Sequence, residues 1–273
     1  MSFDIAHPDV KRAVAEALAE DVRTGDITTE ATILAGVQAE GHFVARQDMT
    51  VAGVELLTLL YDNPVLRARS GAVVHAGQEI AIVRGSARLL LTRERVALNF
   101  LQRLSGVATL ASRFVDAVAG TGVRILDTRK TTPGLRVLEK MAAAAGGVVN
   151  HRMGLWDAVL IKNNHIRLAG GIHVAIERAR SLGKPIEVEV RTRSEIQVAL
   201  ESGAGRLLLD NMTPAQAAEE IRFIARRVEV EISGGVTLEN VRAYAEAGPD
   251  FISSGSITHS APAVDINCGI YEI

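Results

Sequence analysis

The sequence predicts an α/β protein in which a smaller N-terminal domain precedes a parallel sheet closing into a barrel or near-barrel. Three observations carry that expectation. After Gly122 the chain alternates short apolar runs with helical stretches to its end, and right-handed connections of that kind build parallel sheets. At least six such runs fall within roughly 150 residues, which favours a barrel, although periodicity alone leaves an open doubly wound sheet possible. The runs also end in polar or Gly/Ser motifs, at the strand ends where these folds bind ligands. A chain of 273 residues, 48% hydrophobic and 23% charged, suffices for one large domain or for one large and one small.

A first helix is predicted over 9–20, with Val10, Val14, Ala17 and Leu18 at helical spacing. The GDITT stretch after it reads equally as a capped turn or as a segment near the site, because Gly25 breaks the pattern and Asp26, Thr28 and Thr29 offer short polar side chains. Alternation over 38–46 suits a strand, followed by a helix over 53–61, a strand over 64–69 and short strands joined by glycine turns over 71–85. His75 there reads as a surface turn residue. The longest helical pattern spans 88–118, where Leu89, Val96, Phe100, Leu104 and Val107 recur near the helical period. Gly106 within it marks a break or a close backbone contact, and Arg95 reads as part of the solvated face. The domain boundary falls in this helix, dividing the chain into residues 1–108 and 109–273. Beyond it strands are predicted over 123–126, 158–161, 186–190, 206–209, 228–232 and 251–253. Helices over 134–145, 172–182, 194–202, 214–226 and 238–247 separate them.

Composition removes several function classes. A formal net charge of -2 argues against binding nucleic acid by bulk electrostatics. A single cysteine, Cys268, excludes an internal disulfide framework and a cysteine metal cluster. No apolar run reaches the length of a membrane span, so no membrane partner is expected and the cytoplasm is the expected compartment. The dinucleotide and triphosphate glycine fingerprints are both missing, as is the HExxH zinc pattern.

The strand ends hold the chemistry. Asp127, Arg129 and Lys130 follow the first barrel strand, and Lys162, Asn163, Asn164 and His165 follow the next. In IEVEV, valines facing the helical shell would turn Glu187 and Glu189 inward, with Glu189 nearer the mouth. Asp210 and Asn211, then Ser233, Gly234 and Gly235, then Ser254, Gly255 and Ser256 end the last three strands. Each has a plain structural alternative: an ion pair inside the barrel, a helix cap at Asp210, tight turns at the glycines. Their coincidence on one rim favours a site. SGG and SSGS offer backbone N–H groups without bulky side chains, as a phosphate nest requires. Arg129, Arg152 and Lys162 suit carboxylates, and Glu189 and Asp210 suit Mg²⁺, ribose hydroxyls or a cationic reaction centre. Together these features fit phosphoribosyl transfer onto an acidic acceptor.

The blocks TRERVALNFLQRLSGVAT, DTRKTTPGLR, NHRMGLWDAVLIKNNH, EVEV, LLLDN, SGG and SSGSITHS resemble, in order and over nearly the whole chain, those of the nicotinate-nucleotide pyrophosphorylase, or quinolinate phosphoribosyltransferase, family. The resemblance implies an N-terminal α/β sandwich domain and an incomplete α/β barrel of about six or seven strands. It implies conversion of quinolinate and 5-phosphoribosyl 1-pyrophosphate to nicotinate mononucleotide, pyrophosphate and CO₂ with Mg²⁺, in a homodimer with shared active sites, sometimes assembled further. On that resemblance Arg129, His151, Arg152 and Lys162 meet the quinolinate carboxylates, and Arg95 reaches in from the partner subunit. Lys130 and Lys140 face substrate carboxylate or pyrophosphate. Glu189 and Asp210 hold ribose hydroxyls and the metal, with Lys130, Glu189 and Asp210 as the catalytic set. Ser233, Gly234, Gly235, Gly255, Ser256 and His259 surround the 5-phosphate. Three residues depart from the family pattern: Asn163 where Asp is frequent, Ala144 where a basic residue is frequent, and Arg191 where an acid is frequent.

Overall fold

The computed structural model of the chain describes residues 3–273. Helices α1 (Pro8–Val22) and α2 (Ile27–Thr32) lead into β1 (Gln38–Ala45) and β2 (Met49–Thr50). A 3-10 turn (Val54–Leu56), α3 (Leu57–Leu60), β3 (Val65–Leu66), β4 (Val73–Val74), β5 (Glu79–Ser86) and the long α4 (Ala87–Ala117) follow. Then come β6 (Arg124–Leu126), α5 (Arg136–Ala145), β7 (Val159–Ile161), α6 (Asn163–Ala169), α7 (Ile172–Arg180) and β8 (Ile186–Val190). The chain continues through α8 (Arg193–Glu201), β9 (Arg206–Asp210), α9 (Pro214–Ile224) and β10 (Glu229–Ser233). It closes with α10 (Val241–Glu246), β11 (Phe251–Ser253), α11 (Ser256–His259) and β12 (Ile266–Glu272). Two compact units result: the chain through Ser112 with Thr131–Gly147 and Ile257–Ile273, and Arg113–Lys130 with Val148–Ser256.

In the first unit an antiparallel sheet of order β12-β1-β5-β3 is joined by the two-stranded β2-β4. Phe43, Leu56, Leu57, Leu60 and Ile80 fill its core, and burying each stabilises by about 1.5–3 kcal/mol relative to exposure. Strand β12, which periodicity missed, pairs along β1 from Ala39↔Glu272 to Ala45↔Ile266. The GDITT expectation needs correcting, because the stretch is a short helix rather than a turn. Asp26 caps it, accepting from the Thr29 amide at 3.0 Å and the Thr29 hydroxyl at 2.6 Å. The helix predicted over 53–61 begins as a 3-10 turn, and the strand over 64–69 shrinks to β3. Helix α4 runs unbroken through Gly106, which is instead a close approach: a Cβ there would lie 2.1 Å from the Pro262 carbonyl oxygen.

The second unit holds the six-stranded sheet, ordered β6-β11-β10-β9-β8-β7. All of its ladders are parallel, and β6 and β7 lie at the edges, as an incomplete barrel requires. A single bridge, Leu126↔Val149, extends β6. Every residue of β8 is buried, the signature of a parallel strand covered on both faces. Helices α8 and α9 begin at capping boxes, Thr192 with Glu195 and Thr213 with Gln216, and Pro214 stands at the start of α9. Thr213 therefore caps α9, leaving Asp210 at the strand end. No helix among the described residues is long and apolar enough to cross a membrane.

Candidate active site

Six adjacent parallel strands bring their C-terminal ends to one rim. The register pairs Glu189 with Leu208, Leu208 with Glu231, and Asp210 with Ser233. Glu187, Glu189, Asp210, Glu231 and Ser233 thus share one sheet face, because side chains alternate along a strand. Val188, Val190, Leu209 and Ile232, all fully buried, take the opposite face, as the valine argument required. At the N-terminal end of the sheet the charges are matched. Arg206 reaches Glu229 at 2.6 Å, and the guanidinium groups of Arg124 and Arg206 lie over the Phe251 ring at 4.3 and 4.2 Å.

Further along the strands the matching fails. Fully buried Asp127 accepts from the His151 amide at 2.8 Å and from Asn150 Nδ2 at 2.6 Å, which anchors the 150–152 loop. The His151 Nε2 then lies 3.3 Å from Glu187 and 3.4 Å from Glu231. The Arg152 amide donates to Nδ1 at 2.7 Å, which directs the ring's proton to the Nε2 side, toward both acids. Burial would lower the proton affinity of His151, but the Glu187 and Glu231 carboxylates beside its Nε2 outweigh that and raise it. Burial, reinforced by the charge of Glu231, raises Glu187. Burial opposes ionisation of Glu231 too, but the His151 contact prevails and lowers it. Among the described residues, Glu187 Oε1 and both Glu231 oxygens have no hydrogen-bond partner. Buried acids left so are costly, and such costs concentrate at functional sites.

Closer to the rim, Lys162 Nζ lies 4.0 Å from Glu189 Oε2. Arg191 donates through Nε and Nη2 to Asp210 Oδ2 at 2.8 and 2.6 Å, with Nη2 also 3.8 Å from Glu189 Oε1. Arg152 feels both Arg129 and Glu187: burial first, then the Arg129 charge, pulls its pKa down. The buried Arg129 Nε has no partner among the described residues, so two guanidinium groups stand near each other with donor capacity to spare, a setting that suits an anion. The Asn163 amide points at Glu189 Oε1 at 3.4 Å, and Lys130 is exposed.

At the next strand ends, Gly234 and Gly235 take φ of 92° and 64° in succession. A Cβ on Gly234 would sit 2.4 Å from Asn211 Oδ1, whereas Gly235 faces open space. Ser253 donates to Ser233 at 2.8 Å, Ser254 donates to the Val236 carbonyl at 2.8 Å, and the Ser254 and Ser256 hydroxyls lie 2.7 Å apart. Consecutive left-handed glycines flanked by hydroxyls form a concavity suited to phosphate.

Models of the quinolinate phosphoribosyl transferase N-terminal and C-terminal domains match residues 26–105 and 107–268. The chain belongs to the quinolinate phosphoribosyl transferase family. It is 41% identical to a chloroplastic nicotinate-nucleotide pyrophosphorylase [carboxylating] of Arabidopsis thaliana, across 97% of this chain and 84% of that protein. A Mycobacterium leprae protein of the same name, without the chloroplast designation, is also 41% identical, across 97% and 96%. A nicotinate-nucleotide pyrophosphorylase structure from Ehrlichia chaffeensis superposes with a TM-score of 0.92 at 34% identity, covering 95% of this chain and 98% of that one.

Within the second unit the structure brings together Arg129, His151, Arg152, Lys162, Glu189 and Asp210, beside the strand ends carrying Ser233, Gly234, Gly235, Gly255 and Ser256. Arg95, Lys140 and His259 belong to the first unit, where Arg95 and His259 are exposed and Lys140 is fully buried. Sequence reasoning about the quinolinate phosphoribosyl transferase rim missed Glu231 as a partner of His151. The signal was present, since Glu229 and Glu231 alternate with Val230 and Ile232 as the acids of β8 do. Two acidic sets could receive a metal. The donor atoms of His151, Glu187 and Glu231 all lie within 4.8 Å of one another, a spacing that can hold an ion, but the imidazole presents its N–H side there. Glu189 and Asp210 are both oxygen donors and already face a cationic group, a donor chemistry that fits Mg²⁺.

Proposed function

We infer that the chain is a carboxylating nicotinate-nucleotide pyrophosphorylase, converting quinolinate and 5-phosphoribosyl 1-pyrophosphate to nicotinate mononucleotide, pyrophosphate and CO₂ in NAD biosynthesis. One observation carries the reading: cations and acids interleave on one rim, Lys162 by Glu189 and Arg191 on Asp210. The Arg129–Arg152 pair supports binding of an acceptor with two carboxylates, since one carboxylate would not need so many cations.

The residue roles are part of the proposal. Arg129, His151, Arg152 and Lys162 neutralise and orient quinolinate so that its ring nitrogen faces C1 of the ribose. The Ser233–Gly235 and Gly255–Ser256 segments hold the 5-phosphate through backbone N–H groups and hydroxyls. Glu189 and Asp210 hold ribose hydroxyls and Mg²⁺, with Lys130 at the pyrophosphate side. When bound, Mg²⁺ supplies charge neutralisation for the departing pyrophosphate. Carboxylate charge near C1 stabilises an oxocarbenium-like transition state, and attack by nitrogen makes the ring a pyridinium. The positive ring nitrogen stabilises the electron pair left on the adjacent carbon as CO₂ departs, and a proton taken from solvent at that carbon completes nicotinate mononucleotide. Nitrogen attack needs no general base, so no nucleophile–base pair is required. Arg95, Lys140 and His259 are assigned by resemblance, Arg95 acting from a partner subunit.

The division into residues 1–108 and 109–273 finds support in the two family models, which adjoin between 105 and 107. A homodimer with shared active sites is proposed from the family resemblance, and Leu155 and Trp156, 72% and 77% exposed, are apolar side chains a partner subunit could cover. The test is to incubate the protein with quinolinate, 5-phosphoribosyl 1-pyrophosphate and Mg²⁺, following CO₂ release and pyridine nucleotide absorbance. Product that forms with nicotinate but not with quinolinate would overturn the substrate assignment.

A further inference from the structure

Arg191 stands two residues after Glu189 at the end of β8, so its side chain leaves on the same sheet face. Its backbone is pinned, because the Arg191 amide donates to Glu195 Oε2 at 2.6 Å within the start of α8. Its guanidinium is not pinned in the same way. The side chain is 52% exposed, both of its Asp210 contacts fall on the single oxygen Oδ2, and Glu189 lies only within loose reach at 3.8 Å. A two-oxygen fork on a buried carboxylate would mark a permanent structural pair. Here the carboxylate is only 13% exposed, but the guanidinium on it is half in solvent and engages one oxygen, so solvent screens the contact and the arginine can leave without unpacking the strand end. The other Asp210 oxygen is engaged by Asn211 Nδ2 at 2.9 Å, which holds the carboxylate in place whether or not Arg191 is there.

We propose that Arg191 is a displaceable resident cation of the Glu189–Asp210 pair, competing with the divalent ion and thereby setting how tightly the site takes it. This rests on the reading that Glu189 and Asp210 receive that ion. A fixed stem with a weakly held head lets the guanidinium neutralise the two acids until the ion arrives, and then move into solvent. Replacing Arg191 with an uncharged residue removes both the competitor and a positive charge beside the site, which tightens divalent-ion binding by roughly tenfold.

The experiment measures Mn²⁺ binding, by electron paramagnetic resonance of the free ion and by water-proton relaxation, to the full-length protein without substrates. The comparison set is R191A, R191M, R191K, E189Q and D210N, each checked for its thermal transition. The proposal expects tighter Mn²⁺ binding by R191A and R191M, wild-type-like binding by R191K, and weakened binding by E189Q and D210N. If R191A and R191M bind no tighter than wild type, including the case in which neither binds measurably, Arg191 is no competitor. If they bind no tighter while E189Q and D210N still lose affinity, the acids keep their assignment and only the Arg191 role falls. Should E189Q and D210N bind as wild type does, the metal assignment of the acids fails, and the role of Arg191 with it.

Discussion

Glu139 is completely buried on α5, yet it carries four donor contacts. Arg103 Nε and Nη2 approach one oxygen at 3.1 and 2.7 Å, and Thr132 donates through its amide at 3.0 Å and its hydroxyl at 2.7 Å. Arg103 also donates to the carbonyls of Ala261, at 2.8 Å, and Thr258. One guanidinium thus ties α4 to α5 and to the chain around α11. Replacing Arg103 with Met leaves the buried carboxylate with Thr132 as its remaining donor among these contacts, a loss in the class that costs about 3–5 kcal/mol. Glu139→Gln keeps the shape and an acceptor but loses the charge-assisted bonds, for about 1.5–3 kcal/mol. For a chain of this size the Met variant should melt roughly 6–15 °C lower. The double variant should cost less than the sum of the singles by about 1–3 kcal/mol, because the second change removes a partner already stranded. Thermal unfolding followed by circular dichroism, with urea titrations of all four proteins, measures these quantities. Strictly additive costs, or single variants melting within a degree or so of wild type, would refute the view that this pair is energetically coupled.

Lys162→Ala and Arg129→Ala should each lower kcat/KM by roughly hundredfold to thousandfold, as loss of a charged contact on the reacting substrate does; steady-state kinetics with quinolinate varied would reveal it, and near-normal values in both variants would refute their role in holding quinolinate. Gly234→Ala forces a side chain into a φ of 92° and against Asn211 at 2.4 Å, so affinity for 5-phosphoribosyl 1-pyrophosphate should fall at least about tenfold by calorimetry. Burial, followed by the charge of Glu94, pushes the Cys268 thiol up to about 12. The native state therefore keeps this proton between the unfolded value and about 12, and stability falls as pH rises through that window. Cys268→Ser should flatten that alkaline decline in urea midpoints, and native Cys268 should react with a disulfide reagent far more slowly at pH 8 than it does in urea.

Much of the barrel was legible because its signals are local. Short apolar runs separated by capped helices place β6 to β11 within a residue or two of their expected bounds, and alternation in IEVEV was enough to turn Glu187 and Glu189 to one face. The Ser/Gly motifs at the strand ends likewise needed only a parallel topology to become neighbours. Arg129, Lys162, Glu189 and Asp210 could be named early because strand ends gather whatever follows them.

What the chain could not disclose locally was pairing across distance. INCGIYE has a glycine at its centre and only half-buried neighbours, so nothing in its own pattern announces a strand; β1 makes it one by supplying the ladder. Glu231 reads as one more alternating acid until His151 is delivered beside it by a loop that Asp127 anchors. Arg191 reads only as a base standing where an acid is frequent until β9 brings up Asp210. Sequence alone determined which residues stand at strand ends and which face they take, because those depend on the period of one strand. Tertiary structure decided which charges meet, because partners on different strands are chosen by register and burial, to which a single strand's pattern is blind.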